Sequence, residues 1–178
     1  GHVSSSMGLS VLYAAHMAEN HASRDDIVKT VKKLRRYISS AFIIDSTHMM
    51  CKAGQISKRV QVMCDALLLH PVIVLRKSRM AVSSMEMGSF YHVIKGYVRK
   101  TLANPRGIDR RILFITYAGM SEESLQYIQD LVRQYCPFER VYLQKASSAI
   151  ASNCGPGSFG LLFMRRNEAV ISYSEGYR

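Results

Sequence analysis

The sequence contains no tryptophan, few acidic residues and no cysteine pair with the spacing of a metal site or a small disulfide scaffold. Its four cysteines stand at positions 51, 64, 136 and 154. Without a CxxC pair, in a chain of this size, they are expected to be reduced thiols. The longest apolar run, ALLLHPVIVL, is interrupted by His70 and Pro71 and is too short to span a bilayer. No charged-then-apolar leader opens the chain, so we expect a soluble, cytoplasmic protein.

The composition is that of a folded domain with a strong basic excess. Hydrophobic residues make up 48% of the 178 positions and charged residues 21%, which favours a single globular domain over a disordered chain. The 24 basic residues outnumber the 13 acidic ones and give a net charge of +11. That excess favours a nucleic acid, an anionic membrane surface or an acidic protein as partner. A basic nucleic-acid-binding or regulatory domain is therefore the alternative function, although no aromatic-interleaved basic motif supports it.

Apolar spacing predicts helices that alternate with short apolar strands. The expected helices cover residues 10–20, 23–38, about 57–69, about 87–102 and 121–136. The expected strands cover residues 41–45, 72–75, 110–116, 140–144 and 159–164, and a turn at 76–83 begins a returning strand. The order strand, helix, strand over 110–144 predicts a βαβ crossover or a helix packed on a mixed sheet. The fold class is α/β, with a mixed β-sheet covered by helices.

One loop has the composition of a specific turn. Gly155-Pro156-Gly157-Ser158 suits a type II turn, with proline at the second position and a positive-φ glycine at the third. Such a turn could point the amides of Gly157 and Ser158 into a concavity that accepts a carboxylate or phosphate. A plain turn into the last strand is the competing interpretation, and the spacing alone favours it.

Other candidates for chemistry are weaker. Cys154 is a possible nucleophile, as in an esterase-like enzyme, but no base stands near it in the sequence. His48 and Cys51 are spaced to touch one metal ion, although two ligands do not make a site. Asp45, at the end of a strand, suits either a ligand contact or a helix cap. Basic residues on one side of the helix over 23–38 suit either phosphate binding or a solvated face; they are Lys29, Lys32, Lys33 and Arg36.

Four segments together resemble the DegV family of fatty-acid-binding proteins. SSAIASNCGPGSFGLLF (147–163) resembles the family's closing Gly-Pro-Gly motif before a final strand. SSSMGLSVLYAAHMAE (4–19) looks like its Ser-x-Gly-x-Gly-type helix start. FIIDSTHMMCKAGQIS (42–57) is similar to its strand, Asp-Thr-Leu and Lys-Gly-Gly-Arg-Ile segment, and LLLHPVIVL (67–75) to its Leu-Asn-Ile-Lys-Pro-Ile-Leu run. These segments follow the family's order over nearly the whole chain.

The resemblance implies a fold, a ligand and a partner. Residues 1–178 would form a single α/β, lipid-binding C-terminal domain, with a helical N-terminal segment over 1–40 and without the family's N-terminal parallel α/β domain. Gly1-His2 looks like a cloning remnant, which agrees with a piece of a longer protein. Such a protein would hold a long-chain fatty acid without cofactor or catalysis. It would present the acyl carboxylate to a dihydroxyacetone-kinase-like kinase, with transient contact to an anionic membrane and no nucleic acid.

The resemblance also assigns residues. The expected ligand-binding residues run through the closing motif: Asn153, Cys154, Gly155, Pro156, Gly157 and Ser158. The expected partner-docking residues are Lys52, Gly54 and Gln55. Asn153 stands where the family has a carboxylate-binding histidine, and it can donate a hydrogen bond but carries no charge. Ala53-Gly54-Gln55 stands where the family has Gly-Gly-Arg, so a bidentate cation is replaced by a neutral amide.

Overall fold

The computed structural model describes residues 5–76 and 79–166, which form seven α-helices and six β-strands. The helices are α1 (Ser5–Glu19), α2 (Arg24–Leu34), α3 (His48–Lys52), α4 (Lys58–Ala66), α5 (Phe90–Thr101), α6 (Glu122–Tyr135) and α7 (Ser148–Cys154). The strands are β1 (Ile38–Ile43), β2 (Leu69–Arg76), β3 (Arg79–Met87), β4 (Ile108–Tyr117), β5 (Arg140–Lys145) and β6 (Phe159–Arg165). Single 3-10 turns occupy Arg35–Tyr37 and Pro105–Gly107.

All six strands belong to one mixed sheet in the order β3-β2-β1-β6-β4-β5. β4 and β5 pair in parallel across α6, which confirms the predicted βαβ crossover. The other neighbours pair antiparallel. The fold class predicted from the sequence, a mixed sheet covered by helices, is confirmed.

Serine caps begin α2 and α6 at positions that the sequence indicates. The Ser23 side chain accepts a hydrogen bond from the Asp26 amide at 3.2 Å, and Asp25 and Asp26 occupy the first turn of α2. Ser121 accepts from the Ser124 amide at 3.2 Å at the start of α6. These caps satisfy amides that have no partner inside the helix, so the local sequence defines where α2 and α6 begin.

One face of the sheet is filled by α5 and α6. The strand residues Ile43, Leu113, Ile115 and Leu161, each at most 1% exposed, pack against buried helix residues, which are Val93, Ile94, Tyr97, Val98, Ile128, Leu131 and Val132. We call this the covered face. The Tyr97 hydroxyl crosses the core to donate to the Ala41 carbonyl at 2.6 Å.

The opposite face is covered in two separate parts, and we call it the open face. At one end α1 and α2 pack on the sheet through Leu9, Tyr13 and Leu34, which meet Leu162 and Met164 of β6. At the other end α3 packs against α7, and Met50 of α3 joins Ile44 and Ile73 in a small apolar cluster. Sheet surface lies between these two groups of helices.

The predicted boundaries need correction at three places. α2 ends at Leu34, and β1 runs over Ile38–Ile43, so the helix expected over 23–38 and the helical segment over 1–40 extend too far. Ile38 continues the apolar stripe of α2, but it pairs with Met164 of β6, and strand pairing determines its conformation. The residues before the Gly-Pro-Gly turn form the helix α7, where the sequence suggested a loop, and α3 was not predicted.

Candidate ligand-binding site

A cavity of about 240 Å³ lies on the open face between α1 and α7. Ser6 of α1 lines one side, and Ala149 and Ile150 of α7 line the other. The strands between them contribute mostly apolar residues, including Phe42 and Leu162. Because these positions alternate with the residues under α5 and α6, the cavity is separated from the main core by the thickness of the sheet.

A second cavity, of about 500 Å³, adjoins the first. Both are lined by Phe42, Asn153 and Cys154. The second continues toward β3, with Met50 and Val82 among its lining residues. We call the two cavities together the acyl groove, and its lining suits an extended apolar ligand better than a compact polar one.

Gly160 of β6 contributes to the floor of the groove by lacking a side chain. A Cβ atom there would lie 2.8 Å from the Ala41 carbonyl oxygen and 2.9 Å from the Phe42 Cβ. Glycine therefore lets β1 and β6 approach closely at the place where the first cavity lies.

Asn153, which the resemblance places at the position of a carboxylate-binding histidine, lies in the last turn of α7 and lines both cavities. Its side-chain NH₂ donates to the Ala149 carbonyl at 2.8 Å, and its side-chain oxygen accepts from the Gln55 amide at 3.1 Å. The structure thus joins a predicted ligand residue to a predicted docking residue, 98 positions apart, by one hydrogen bond. The second Asn153 N–H has no acceptor among the described residues.

The Gly-Pro-Gly turn has the predicted conformation but not the predicted amide direction. Gly157 has φ of +80°, as the third position of a type II turn requires. However, its N–H donates to the Ala118 carbonyl at 2.8 Å and does not face a cavity. The Ser158 hydroxyl donates to the Cys154 carbonyl at 2.7 Å, at the end of α7. The expectation that the Gly157 amide receives an anion is therefore wrong, because a neighbouring loop already uses it.

Asp45 lies directly beneath this turn. A Cβ on Gly157 would come within 2.6 Å of the Asp45 carboxylate, so only glycine fits above it. The carboxylate stands 3.6 Å from Nδ1 of the buried His70. Burial raises the pKa of Asp45, and His70 partly opposes that rise. Thr47, not Asp45, occupies the N-cap of α3, so the capping interpretation of Asp45 is wrong.

Neither of the weaker chemical candidates gains support. Cys154 is buried, and desolvation raises the pKa of its thiol, which disfavours the nucleophilic thiolate. His48 Nδ1 lies 3.3 Å from the Gln61 side-chain amide. Within residues 5–76 and 79–166, no three His, Cys, Asp or Glu side chains lie close enough to hold a metal ion. All four cysteines are free thiols, as predicted.

Partner-docking residues predicted by the resemblance lie beside the groove. Lys52 ends α3, and Gly54 and Gln55 form the turn that follows, with all three residues exposed. Gly54 has φ of +69°, a conformation that glycine adopts without strain. Pro156 is also exposed, whereas Gly155 is buried next to Met49.

Three polar residues of the groove were missed by the sequence analysis: Ser6, Ser40 and Thr116. The Ser40 hydroxyl is buried and has no hydrogen-bond partner among the described residues. A usable signal existed, because Ser40 and Thr116 interrupt strands that are otherwise apolar on that face. Without the pairing of β1, β6 and β4, the sequence does not show that Ser40 and Thr116 line the same cavity.

Comparison with known proteins places the whole described chain in one family. A family model described as "Uncharacterised protein, DegV family" matches residues 1–166. A DegV domain-containing protein of Caldanaerobacter subterraneus is 26% identical over 160 residues, which are 88% of this chain and 55% of the relative. The chain thus spans about half the length of the curated relatives that it matches.

Solved structures share the fold. A Thermus thermophilus DegV family protein described as fatty acid binding has a TM-score of 0.73 at 22% identity, over 90% of this chain and 57% of the other. The Streptococcus pneumoniae Fatty Acid Kinase (Fak) B3 protein, loaded with linoleic acid, has a TM-score of 0.75 at 12% identity, over 90% and 56%. At identities this low, the structural similarity establishes a common fold and nothing further.

Proposed function

The chain belongs to the DegV family, and from that premise we propose that it is a lipid-binding domain that holds the acyl chain of a long-chain fatty acid in the acyl groove. The observation that carries the proposal is the pair of adjoining apolar cavities on the open face. Each buried methylene contributes about 0.8 kcal/mol, so an apolar groove of this kind needs few polar contacts to retain an acyl chain. The fatty acids described for the Thermus and Streptococcus proteins support the same ligand class.

We place the carboxylate end of the ligand near Asn153. This residue lines both cavities and keeps one amide hydrogen available, whereas the Gly157 amide and the Ser158 hydroxyl already donate within the protein. Ser40 supplies a second polar group in the same cavity as Asn153. In this arrangement the Gly-Pro-Gly turn mainly holds the end of α7 in place, and Asn153 is the residue of the closing motif that contacts the ligand.

Binding without catalysis is part of the proposal. Among the described residues that line the two cavities there is no His, Asp, Glu or Lys side chain to act as a base, and desolvation raises the pKa of the Cys154 thiol. A lipid carrier needs only burial of the acyl chain and a hydrogen bond to the carboxylate.

The test is a titration of the 178-residue chain with sub-micellar oleate, followed by amide NMR shifts. We expect saturable shifts at the groove residues, and we expect Ala149→Trp to abolish them because its ring would occupy the first cavity. Ser148→Trp is the matched control, since Ser148 precedes Ala149 on α7, is also exposed and does not line either cavity. Absence of saturable shifts in the unaltered chain, or equal loss in both variants, would refute the proposal.

We further propose that the exposed turn at Lys52, Gly54 and Gln55 docks a dihydroxyacetone-kinase-like kinase, with transient contact to an anionic membrane. The hydrogen bond from Gln55 to Asn153 gives the docking turn a direct connection to the groove. Surface plasmon resonance with an immobilised kinase of this class is the test. Gln55→Arg should tighten binding at least tenfold, because a guanidinium offers bidentate contacts to carboxylates, and Arg59→Gln should leave it unchanged. No effect of Gln55→Arg would contradict this docking site.

A further inference from the structure

A third cavity, of about 430 Å³, lies on the side of the sheet opposite the acyl groove, at the end of α5. Its chemistry differs from that of the groove. Basic side chains and hydroxyls line it, including Arg36, Arg165, Ser39, Ser83 and Ser84. The cavity is within the size range of small-molecule sites.

A β-bulge creates the hydroxyl surface of this cavity. In the β2–β3 pair Val72 opposes Ser84 and Ile73 opposes Val82, so Ser83 is the extra residue of β3. Regular alternation would place Ser83 and Ser84 on opposite faces of the sheet. The bulge instead lets both residues line one cavity, which is the kind of redirection that bulges provide at functional sites.

The positive charge of the cavity is not consumed by the protein. Within the described residues, the side chains of Arg36 and Arg165 form no ion pair and no hydrogen bond. The carboxylate in the wall, Glu86, is neutralised by Lys100, whose ammonium lies 2.7 Å and 2.8 Å from its two oxygens. Two guanidinium groups therefore give the cavity a net positive charge.

Ser39 adds a donor at the bottom of the cavity. Ser39 is only 9% exposed, and its hydroxyl makes no hydrogen bond to the described residues. Ser39 lies on β1, three positions after Arg36, and pairs with Phe163 of β6, which is two positions from Arg165. Hydroxyl and guanidinium groups from β1, β3, β6 and the 3-10 turn at Arg35–Tyr37 thus line the same cavity.

We propose that this cavity binds a phosphate monoester group, with Arg36 and Arg165 as the charged contacts and Ser39, Ser83 and Ser84 as hydroxyl donors. Guanidinium groups match the oxygens of phosphate bidentately, and serine hydroxyls donate single bonds to the remaining ones. The volume accommodates more than inorganic phosphate, so the ligand is a small phosphorylated molecule or the headgroup of a phospholipid. The site does not depend on the fatty acid proposal, because none of its five ligand-contacting residues lines the acyl groove.

The experiment titrates the 178-residue chain with glycerol 3-phosphate and, separately, with phosphatidylcholine vesicles that contain a fifth of phosphatidic acid. Amide NMR follows the first titration and co-sedimentation the second. We expect saturable shifts at Ser39, Ser83 and Ser84, and R36A/R165A should weaken binding at least tenfold. R59A/R140A is the matched control, because it removes two exposed arginines elsewhere and lowers the net charge equally.

The two arms identify the source of the phosphate. Saturation by glycerol 3-phosphate assigns a soluble ligand, and co-sedimentation that only R36A/R165A abolishes assigns a lipid headgroup. Weak shifts spread over all basic segments, equal loss in both double variants, or no binding in either arm would overturn the proposal. The expected thermal unfolding midpoint of R36A/R165A equals that of the control, since both arginines are exposed.

Discussion

The two faces of the sheet use the same strands for different purposes. Under α5 and α6, alternate residues such as Leu113, Ile115 and Leu161 are completely buried. On the other face, Phe42, Gly160 and Leu162 lie in a gap between α1 and α7. Both faces are largely apolar, so the difference lies in helix coverage. Burial on the covered face stabilises the domain, whereas the open face keeps apolar surface available for a ligand.

The largest expected effect separates these two roles directly. Ile94→Ala, in the covered core, should reduce the free energy of unfolding by about 2–5 kcal/mol, because it leaves a cavity in a filled region. Ile150→Ala, on the half-buried groove side of α7, should cost only about 1 kcal/mol yet weaken oleate binding. Urea denaturation measures the first effect and NMR titration the second. Equal losses of stability in the two variants would contradict the conclusion that it is mainly the covered face that stabilises the domain.

The next effect concerns how α1 is held on the open face. Arg111 Nε donates to Asp109 Oδ1 at 2.9 Å, and the Tyr13 hydroxyl of α1 donates to the same carboxylate. Burial alone would raise the pKa of Asp109, but the hydrogen bonds from Arg111 and Tyr13 and the charge of Arg111 bring it below its usual value. Its stabilising contribution is therefore present above the unfolded-state pKa and is lost as pH falls through the folded-state pKa.

Asp109→Asn should accordingly reduce the free energy of unfolding by about 2–3 kcal/mol at pH 7, and by less at pH values near 3. Urea denaturation across that pH range is the measurement. Asp25→Asn, on an exposed helix start, is the control with little expected effect. A loss for Asp109→Asn that does not shrink with acid would contradict the assignment of the ionised carboxylate.

A smaller effect tests the floor of the groove. Gly160→Ala should reduce the free energy of unfolding by about 1–2 kcal/mol, because its Cβ would contact the Ala41 carbonyl oxygen at 2.8 Å. Gly8→Ala, in α1, meets only the Phe114 ring at 3.9 Å and should stabilise the helix by about 0.5–1 kcal/mol. Thermal unfolding distinguishes the opposite signs. Two changes of the same sign would argue against a close approach of β1 and β6.

The smallest effect lies beneath the Gly-Pro-Gly turn. Since burial raises the folded-state pKa of Asp45, its contribution to stability is present below the unfolded-state pKa, about 3.9, and is lost as pH rises through the folded-state pKa. Asp45→Asn should flatten the dependence of stability on pH above about 4. Denaturation midpoints at closely spaced pH values measure it. An unchanged slope would show that the carboxylate titrates as it does in the unfolded chain.

Local signals in the sequence were sufficient for the well-patterned elements. Ser23 and Ser121 cap helices whose apolar residues follow a helical period, so the starts of α2 and α6 were predicted correctly, although α2 ends earlier than predicted. α7 has no such stripe, since Ile150 is its only large apolar residue, and its packing against α3 supports it instead. Local signals also could not show that the Gly157 amide donates to the Ala118 carbonyl, because Ala118 is distant along the chain.

Membership in the family and the order of the strands and of all helices except α3 and α7 also followed from the sequence, whereas the assignment of ligand and docking residues remains a prediction. In the described part of the chain, no helix combines the length and apolar character needed to cross a membrane. The structure shows that the Gly157 amide and the Ser158 hydroxyl of the closing motif already donate within the protein.

The sequence by itself determined the fold class, the capped helices, the positive-φ glycine of the turn and the membership in the family, because each depends on residues close together in the chain or on motif order. Only the tertiary structure decided which polar groups are already hydrogen-bonded, that Ser40 and Thr116 line the same cavity, and how the bulge at Ser83 lets two serines line another. Those features depend on strand register and on contacts between distant segments. Periodicity and composition carry no information about either.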